Sequence, residues 1–414
     1  MTSFSIQNFG CRVNQAEAFG WAEEFERGGL RLEKDSTRAD LVVVNTCTLT
    51  TRADRDVRKF IRKISRLNRQ AKLIVAGCSV DGGRAEFEKI SRAWLLLSNE
   101  EKGGLTSRVL ADFGGRREAL AQPWRSRALL KVQDGCNLRC AFCVIPYVRG
   151  KSRSFDSEEI LSRARKFVRQ GFQEVVLCGI HLSSYGRDLR PKSSLHELLQ
   201  ALVEIEGMGK IRLSSLDPRF LDDKLIDFIT SSQKICPHFH LSLQHGSDRI
   251  LKLMGRNSRV SEYGHILSRL RQRSPAASLG ADIISGFPGE SDEDFAKMFD
   301  FLKNSALTYG HVFTYSPRPH TQAADWPQVA ETVKSQRSAL LRKLFEEKRL
   351  AFRLTFLSQE LEGVVVKKSG ADGEVLTSNY VDVHVPSCPN EPGEAVKVKI
   401  SRVESKQTRG EIVA

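Results

Sequence analysis

Three cysteines stand close together in the middle of the chain, in the run CNLRCAFC. They are Cys136, Cys140 and Cys143, so that three thiolates lie within eight residues. Such a triplet can wrap one iron–sulfur cluster. Because a cubane cluster has four irons, three ligands leave one iron open to bind a substrate or cofactor. The alternative interpretation is a zinc knuckle completed by a distant fourth ligand.

A second set of cysteines is spread along the first part of the chain: Cys11, Cys47 and Cys78. Each ends a strand-like apolar run, and the runs are Phe4–Phe9, Leu41–Asn45 and Leu73–Ala76. Helix-patterned stretches separate them, at Gln15–Arg27 and Asp54–Asn68. This alternation predicts a parallel sheet, in which ligands sit at the carboxyl ends of the strands. We therefore expect the three thiols to converge at one edge, although three buried, inert cysteines remain the alternative.

The chain has nine cysteines, and this odd number argues against a disulfide framework. Metal or catalytic use is the better interpretation for the two triplets. The other three are interpreted as structural, because one lies in the apolar run VVLCGI and two neighbour prolines: Cys178, Cys236 and Cys388.

Length and composition limit the class of protein. A chain of 414 residues with 40% hydrophobic residues suggests two or three domains with ordinary cores. The net charge of +14 suits a polyanionic partner. The longest apolar runs fall far short of the roughly 20 residues needed to span a bilayer, and the N-terminus does not resemble a signal peptide. We expect a cytoplasmic protein with no membrane partner.

The middle of the chain alternates strand and helix patterns, which predicts a partial parallel (β/α) barrel over residues 125–355. Its candidate site groups fall at strand ends, and they are the second cysteine triplet, Gly179, Ser215, Gln244 and Gly286. Residues 1–120 are predicted to form an N-terminal α/β domain, and Gly103–Arg125 a connector broken at Gly114–Gly115 and Pro123. Residues 357–414 alternate at period two, which predicts a small antiparallel, OB-like β-barrel. The expected fold class is α/β.

Several longer motifs resemble the radical S-adenosylmethionine (SAM) methylthiotransferases. They are NTCTLTTRAD, CNLRCAFCVIPYVRGKSRS, VVLCGIHLSSYGRD, HLSLQHGSDRILKLMGR, DIISGFPGE and FTYSPRPHTQAA. They occur in the family's order and cover nearly the whole chain. The run FGCRVNQAEA resembles the GCKVNQ-type motif of the threonylcarbamoyladenosine tRNA methylthiotransferases, with Arg12 in place of Lys. It is less like the motifs of the enzymes that act on isopentenyladenosine or on a ribosomal-protein aspartate.

The resemblance implies two [4Fe–4S] clusters and SAM as cofactors. The open iron at Cys136, Cys140 and Cys143 would bind SAM, whose reductive cleavage gives a radical able to attack an inert C–H bond. Phe142 would lie near the adenine of SAM, or be a core aromatic, and the strand-end residues Gly179, Ser215 and Gln244 are further candidate SAM contacts.

By the same resemblance, the cluster at Cys11, Cys47 and Cys78 would carry the sulfur. The implied substrate is carbon two of the modified adenosine beside the tRNA anticodon, and the implied electron donor is a flavodoxin or ferredoxin. The barrel is expected to be an open six-unit version, and the C-terminal domain to be a TRAM domain. Asn45 is expected either to hydrogen-bond near the sulfur-carrying cluster or to form a turn.

The positive charge is unevenly distributed. Residues 54–70 hold seven Lys or Arg against two Asp, with apolar residues at helical spacing. This pattern indicates either a phosphate-contacting helix face or an ordinary solvated one. Three further cations follow the cysteine loop and are candidates to steer RNA: Arg149, Lys151 and Arg153.

The C-terminal segment is unexpectedly acidic. Residues 360–414 hold seven Lys or Arg against nine Asp or Glu. A local basic face and ordinary solvated charge are both compatible with its lysines, which are Lys367, Lys368, Lys397 and Lys399. This acidity favours the ribosomal-protein substrate, whereas the FGCRVNQ motif and the overall basicity oppose it. A nucleic-acid-binding protein with structural clusters is the alternative of a different class, and the lack of an obvious fourth cysteine at either triplet opposes it.

Overall fold

The structure is a computed structural model that describes residues 2–113 and 125–413. Its contacts divide the chain into two compact units. The first comprises Met1–Gln122, Asp134–Ser152 and Ser316–Asp325, and the second comprises Pro123–Gln133, Arg153–Tyr315 and Trp326–Ala414. Both cysteine triplets therefore belong to the first unit.

The first unit is built on a five-stranded parallel sheet with the spatial order β2-β1-β3-β4-β5. The elements of this part of the chain are β1 (Ser3–Asn8), α1 (Arg12–Arg27), β2 (Arg31–Leu32), β3 (Leu41–Thr46), α2 (Thr51–Leu67), β4 (Lys72–Gly77), α3 (Cys78–Ile90), β5 (Ala93–Leu97) and α4 (Leu105–Phe113). The predicted alternation of strand and helix is confirmed. It places β1, β3 and β4 side by side, and these are the strands that precede Cys11, Cys47 and Cys78.

The core of this unit follows from the apolar pattern of its elements. All six residues of β3 are buried, as expected for a central parallel strand. Helix α2 packs Val57, Ile61 and Ile64 into the same core, and of its charged residues only Asp54 is buried. The Thr50 side chain caps this helix by accepting a hydrogen bond from the Ala53 N–H at 3.1 Å.

The connector predicted over Gly103–Arg125 is wrong in its first part. Helix α4 forms there, because Leu105 and Val109 lie four residues apart on one helix face and are both fully buried. The two glycines at 103 and 104 precede this helix and do not interrupt it. The rest of the predicted connector, with its predicted breakers, lies outside the described residues.

The next elements are β6 (Ala128–Asp134), α5 (Ile145–Val148), β7 (Arg153–Ser154), α6 (Ser157–Arg169), β8 (Glu174–Gly179), α7 (Leu195–Val203), β9 (Lys210–Leu213), α8 (Asp223–Ser231), β10 (His238–Gln244), α9 (Asp248–Leu253), α10 (Val260–Arg273), β11 (Ser278–Ser285), α11 (Asp292–Asn304), β12 (Tyr309–Thr314) and α12 (Glu331–Leu354). The strands form two sheets, with the orders β7-β6-β8-β9 and β10-β11-β12. Of these elements, α5 belongs to the first unit.

Backbone hydrogen bonds of Leu216 join the two sheets of the second unit. Its N–H donates to the carbonyl of His240 at 2.8 Å, and its carbonyl accepts from the N–H of Ser242 at 2.9 Å. Strand β9 therefore lies next to β10, and the six long strands follow one another in chain order. This is the open, partial (β/α) barrel that was predicted, and its carboxyl-end edge is the expected place for a site.

The C-terminal part of the second unit is a closed five-stranded barrel. Its strands are β13 (Glu360–Ser369), β14 (Asp372–Thr377), β15 (Asp382–Val385), β16 (Ala395–Val403) and β17 (Thr408–Val413). Alternate residues of these strands, among them Val375, Val383 and Val398, fill its core. The predicted small β-barrel is confirmed, except that its closing pair, β15 with β17, is parallel.

A buried ion pair connects this small barrel to the larger one. Arg212 of β9 donates to both carboxylate oxygens of Glu174 of β8, each at 2.8 Å. The same guanidinium donates to the backbone carbonyls of Thr377 and Ser378, each at 3.1 Å. One side chain thus satisfies a buried carboxylate and two carbonyls of the small barrel.

Candidate functional site

The first cysteine triplet lies at the carboxyl ends of three neighbouring strands. Cys11 stands just before α1, Cys47 directly follows β3, and Cys78 opens α3 directly after β4. The register brings the strand ends level, since Asn45 of β3 pairs with Asn8 of β1 and Thr46 pairs with Gly77 of β4. The structure therefore brings together the three thiols that the sequence had placed on one edge.

Two glycines allow the cysteines to approach one another. Gly10 has φ +100° and Gly77 has φ +102°, a region that side-chain-bearing residues rarely adopt. An added Cβ on Gly10 would lie 2.5 Å from the Cβ of Cys47. Cys11 and Cys47 can therefore neighbour each other only because residue 10 has no side chain.

We expect Gly10→Ala to push Cys47 out of place and to cost about 1–3 kcal/mol of stability through backbone strain. The iron content of the anaerobically reconstituted protein should fall, because the first triplet loses its geometry. Gly20→Ala is the matched control, since an added Cβ at Gly20 meets nothing within 4 Å. Equal iron content and equal melting temperatures for the two variants would contradict this prediction.

Buried polar side chains hold the loops that carry these cysteines. The Asn14 amide donates to the carbonyls of Phe9 and Thr46, each at 2.8 Å, and its oxygen faces the Cys11 thiol at 3.8 Å. Asn45, a predicted candidate, donates to the Asn14 carbonyl at 2.9 Å. This hydrogen bond joins the end of β3 to α1. Among the described residues, Asn45 makes no hydrogen bond to a thiol.

Asp54 is a second anchor, which the sequence analysis missed. Its carboxylate accepts from the hydroxyls of Thr48 at 3.1 Å and Ser79 at 3.0 Å, so it joins the Cys47 loop to the start of the Cys78 helix. Arg318, from the FTYSPRPHTQAA motif, makes a buried ion pair with this carboxylate. The closeness of Asp54 to Cys47 in the sequence could have suggested that Asp54 supports the cysteine loop. Its partner Arg318, however, is 264 residues away.

Burial raises the pKa of two of these thiols, Cys11 and Cys47. It raises the pKa of Cys47 to about 12, and the neighbouring Cys11 and Cys78 add to this effect. The pKa of Cys11 is also raised by burial, against the opposing influence of Arg149. A bound cation reverses this balance, since metal ligands must be thiolates. Three unbridged cysteines at one edge of the sheet, two of them buried, fit a cluster with one open iron.

The second triplet lies on the loop between β6 and α5, where each thiol is half-buried. The Cys136 N–H donates to the Gly150 carbonyl at 3.1 Å, which closes the base of the loop, and the Cys143 N–H donates to the Cys140 carbonyl at 3.0 Å. The Leu138 N–H points at the sulfur of Cys136 at 3.4 Å. Amide donors to sulfur are typical of iron–sulfur loops, so these residues also fit a cluster.

The segment after the second triplet packs on the first triplet. Val144 and Val148 form a small apolar cluster with Cys78. The Asn99 amide donates to the carbonyl of Val148 at 2.7 Å and to the sulfur of Cys78 at 3.5 Å. The two triplets are therefore neighbours within one compact unit.

Three of the four predicted SAM contacts lie at strand ends of the second unit. Gly179 ends β8, Ser215 follows β9, and Gln244 ends β10 with φ +78°. An added Cβ on Gly179 would lie 3.0 Å from the Cα of Leu182, so a side chain at this strand end would be tightly packed against the backbone. Phe142 lies in the second-triplet loop, half-buried, in the first unit.

One predicted RNA contact is wrong. Arg149 has a fully buried side chain and pairs with Glu17 and Asp134, so it does not present its charge to a ligand in solution. Lys151 and Arg153 are exposed, as expected for candidate RNA contacts. Composition alone could not distinguish these three cations, because their difference depends on partners distant in sequence.

An open six-stranded parallel barrel whose first strand leads into a three-cysteine loop defines a radical SAM protein. Residues 130–302 match the radical SAM superfamily, and residues 3–97 match the uncharacterized protein family UPF0004. The solved structures agree in fold. The cobalamin-containing radical SAM methyltransferase TsrM from Kitasatospora setae has a TM-score of 0.59 at 13% identity, covering 78% of this chain and 77% of that one.

Curated relatives narrow the class. The chain is 37% identical to the threonylcarbamoyladenosine tRNA methylthiotransferase MtaB of Aquifex aeolicus, covering 96% of this chain and 99% of that protein. Its identity to the MtaB of Bacillus subtilis is 30%, over 100% and 97% of the two chains. The tRNA-2-methylthio-N(6)-dimethylallyladenosine synthase of Desulforamulus reducens is 29% identical, over 99% and 95%. The chain belongs to the radical SAM tRNA methylthiotransferase family.

Members of this family use SAM and carry two [4Fe–4S] clusters, which agrees with the two triplets described above. Within the part of the chain that the structure describes, no helix is both long and apolar enough to cross a membrane.

Proposed function

We propose that this protein transfers a methylthio group to carbon two of threonylcarbamoyladenosine in the anticodon stem–loop of tRNA. The presence of two neighbouring cysteine triplets in one compact unit supports this most directly, because methylthiolation needs one cluster for radical chemistry and one for sulfur. The choice of nucleoside is supported by the FGCRVNQ motif and by full-length relatives named for that substrate. Dimethylallyladenosine tRNA and a ribosomal-protein aspartate are the alternative substrates.

The proposed ligands of the SAM-binding cluster are Cys136, Cys140 and Cys143, and those of the sulfur-carrying cluster are Cys11, Cys47 and Cys78. When bound, the clusters and SAM supply the electron, the radical and the sulfur for the reaction. The proposed SAM contacts are Phe142, Gly179, Ser215 and Gln244. Of these, Gly179 ends its strand where an added Cβ would be tightly packed, and Gln244 ends its strand with a positive φ. Both features suit the close approach of a ligand to the backbone.

The proposed domain division is 1–120, 125–355 and 357–414, with the last as a TRAM domain. We propose a flavodoxin or ferredoxin as electron donor and the cytoplasm as the place of action, since tRNA is the substrate. Within the site, the chain's own residues keep the thiols of the first triplet out of water and hold their loops through Asn14 and Asp54.

The lysines of the small barrel are unsuited to gripping RNA. Lys368 pairs with Glu391 at 2.6 Å, and Lys367 lies 3.8 Å from Glu374. Lys397 and Lys399 stand opposite glutamates across the β13–β16 pairing. Positive and negative charges alternate on this surface. Ordinary solvated charge therefore explains these lysines better than a basic RNA-binding face does.

The outer face of α2 is the better RNA surface. Arg62 and Arg66 are exposed, and no carboxylate of the described residues pairs with either. We expect Arg62→Glu with Arg66→Glu to weaken tRNA binding about tenfold at low salt and to reduce the salt-dependence slope by about 2, since two phosphate contacts are lost. Filter binding at several salt concentrations measures this.

The matched control for the α2 variant reverses Arg165 and Arg169, an exposed pair with the same spacing on α6. Both double variants change the net charge equally, so a general electrostatic effect would weaken both alike. Equal binding curves for the two double variants would show that the arginines of α2 are ordinary solvated residues and do not contact RNA.

The proposed function is tested by incubating the anaerobically reconstituted protein with SAM, a reductant and tRNA bearing threonylcarbamoyladenosine. Digested nucleosides are then analysed by mass spectrometry, and a methylthio product is the expected result. If 5′-deoxyadenosine forms but the tRNA is unchanged, the substrate assignment fails. The dimethylallyl tRNA and the ribosomal protein are then assayed in the same way.

A further inference from the structure

Arg149 is a buried cation between the two cysteine triplets. It follows α5 directly, and its side chain is 0% exposed. One guanidinium nitrogen donates to both carboxylate oxygens of Asp134, at 2.8 and 3.0 Å. Because Asp134 precedes the second-triplet loop and Arg149 follows it, this ion pair clamps the base of that loop.

The same guanidinium reaches the helix behind Cys11. It donates to the side-chain oxygen of Asn14 and to Glu17, the latter at 3.1 Å. Asn14 in turn holds the strand ends that lead to Cys11 and Cys47. A single side chain thus connects the base of one triplet loop to the scaffold of the other triplet.

The positive and negative side chains around Arg149 are equal in number as long as the cysteines of the first triplet are neutral thiols. Glu17 also accepts from Lys102 at 2.6 Å, and all of these side chains are buried or nearly so. In the ion pairs seen among the described residues, the cations Arg149 and Lys102 face the carboxylates Glu17 and Asp134. Cluster binding converts the three thiols of the first triplet to thiolates and adds negative charge next to Arg149, in a place that water does not screen.

We propose that Arg149 is a positioning residue that fixes the two cysteine triplets relative to each other and offsets the negative charge of the sulfur-carrying cluster. This inference rests on the proposed function, in which both triplets hold clusters. Lysine is a poor replacement, because its ammonium lacks the planar fork that contacts Asp134, Asn14 and Glu17 together. A buried positive charge stabilises the more negative, reduced form of a nearby cluster, so its loss makes reduction harder.

The test compares Arg149→Lys, which keeps the charge and loses the fork, with Arg149→Gln, which loses both. Redox titration followed by electron paramagnetic resonance gives the midpoint potential of each cluster. We expect a more negative potential in the Gln variant for the cluster at Cys11, Cys47 and Cys78, and a potential near wild type in the Lys variant. In both variants, fewer methylthio products should form per SAM cleaved.

Arg353→Gln is the matched control, because Arg353 is also buried and, within residues 2–113 and 125–413, donates only to Thr408 and Ser405 of the small barrel and to its own helix. Wild-type potentials and product ratio in Arg149→Gln would overturn the proposal. If that variant fails to take up iron, the Lys variant decides, since a wild-type product ratio there would also overturn it. Failure of wild-type protein to modify tRNA would defeat the proposed function, whereas the potential shift is measured without tRNA.

Discussion

Cys47→Ala is expected to abolish methylthio transfer while SAM cleavage to 5′-deoxyadenosine continues. Cys140→Ala is expected to abolish both. The reason is that the two triplets, proposed as separate sets of ligands, lie in different places, one at the edge of the five-stranded sheet and one on the loop after β6. Loss of a residue that merely supports a metal ligand costs roughly 10–100-fold, so loss of a ligand should exceed about 100-fold in the affected reaction.

The measurement is a single anaerobic assay that quantifies 5′-deoxyadenosine and methylthio nucleoside together. Cys388→Ala is the control, because Cys388 is buried in the core of the small barrel and is expected to leave both products unchanged. Methylthio product from Cys47→Ala would contradict the assignment of that cysteine as a ligand. Undiminished SAM cleavage by Cys140→Ala would contradict the assignment of the second triplet.

Arg212→Met is expected to cost about 3–5 kcal/mol of stability, because it removes the two-pronged donor of the buried Glu174 carboxylate and the guanidinium donor of the Ser378 carbonyl. The lower end of that range is expected, since Arg127 still contacts Glu174 at 3.2 Å. The small barrel should also be released more easily, which limited proteolysis between α12 and β13 detects. The double variant with Glu174→Gln should recover part of the loss.

The pH dependence of this variant follows from the ion pair. Burial alone would raise the pKa of Glu174, but Arg212 and Arg127 hold it below its usual value in the folded protein. In the wild-type protein this lowered pKa adds stability above the unfolded pKa of about 4.3, and that stability is lost as pH falls through the folded pKa. In Arg212→Met, protonation of Glu174 relieves the buried charge.

The difference in unfolding free energy between wild type and Arg212→Met should therefore be largest near neutral pH and shrink toward pH 4. Urea unfolding at several pH values measures this. A difference that is constant with pH would show that the loss comes from packing and not from the unpaired charge.

Repeating patterns made the framework predictable from sequence. Each cysteine of the first triplet ends an apolar run, and parallel strands bring such ends to one edge. The period-two alternation after residue 360 similarly predicted a barrel. Helix α4 was missed because the whole of Gly103–Arg125 was interpreted as a connector, although Leu105 and Val109 have helical spacing.

The supporting contacts of the site were not predictable in the same way. Arg318 and Asp54 are 264 residues apart, and nothing local marks them as partners. Arg149 resembled a surface cation until its partners on α1 were known. The six cysteine ligands and the four SAM contacts stay predictions, as does the division into three domains.

The first unit is assembled from three separate stretches of the chain, and this affects how the protein is made. Cys11, Cys47 and Cys78 leave the ribosome long before Arg149, and Arg149 long before Arg318. Until the last stretch emerges, Asp54 is without its partner Arg318, so the sheet edge that carries the first triplet cannot reach its final packing during early synthesis. Metal insertion there should follow translation of at least residue 325. A fragment that ends near residue 120 would therefore be an incomplete pocket and not a minimal working version of it.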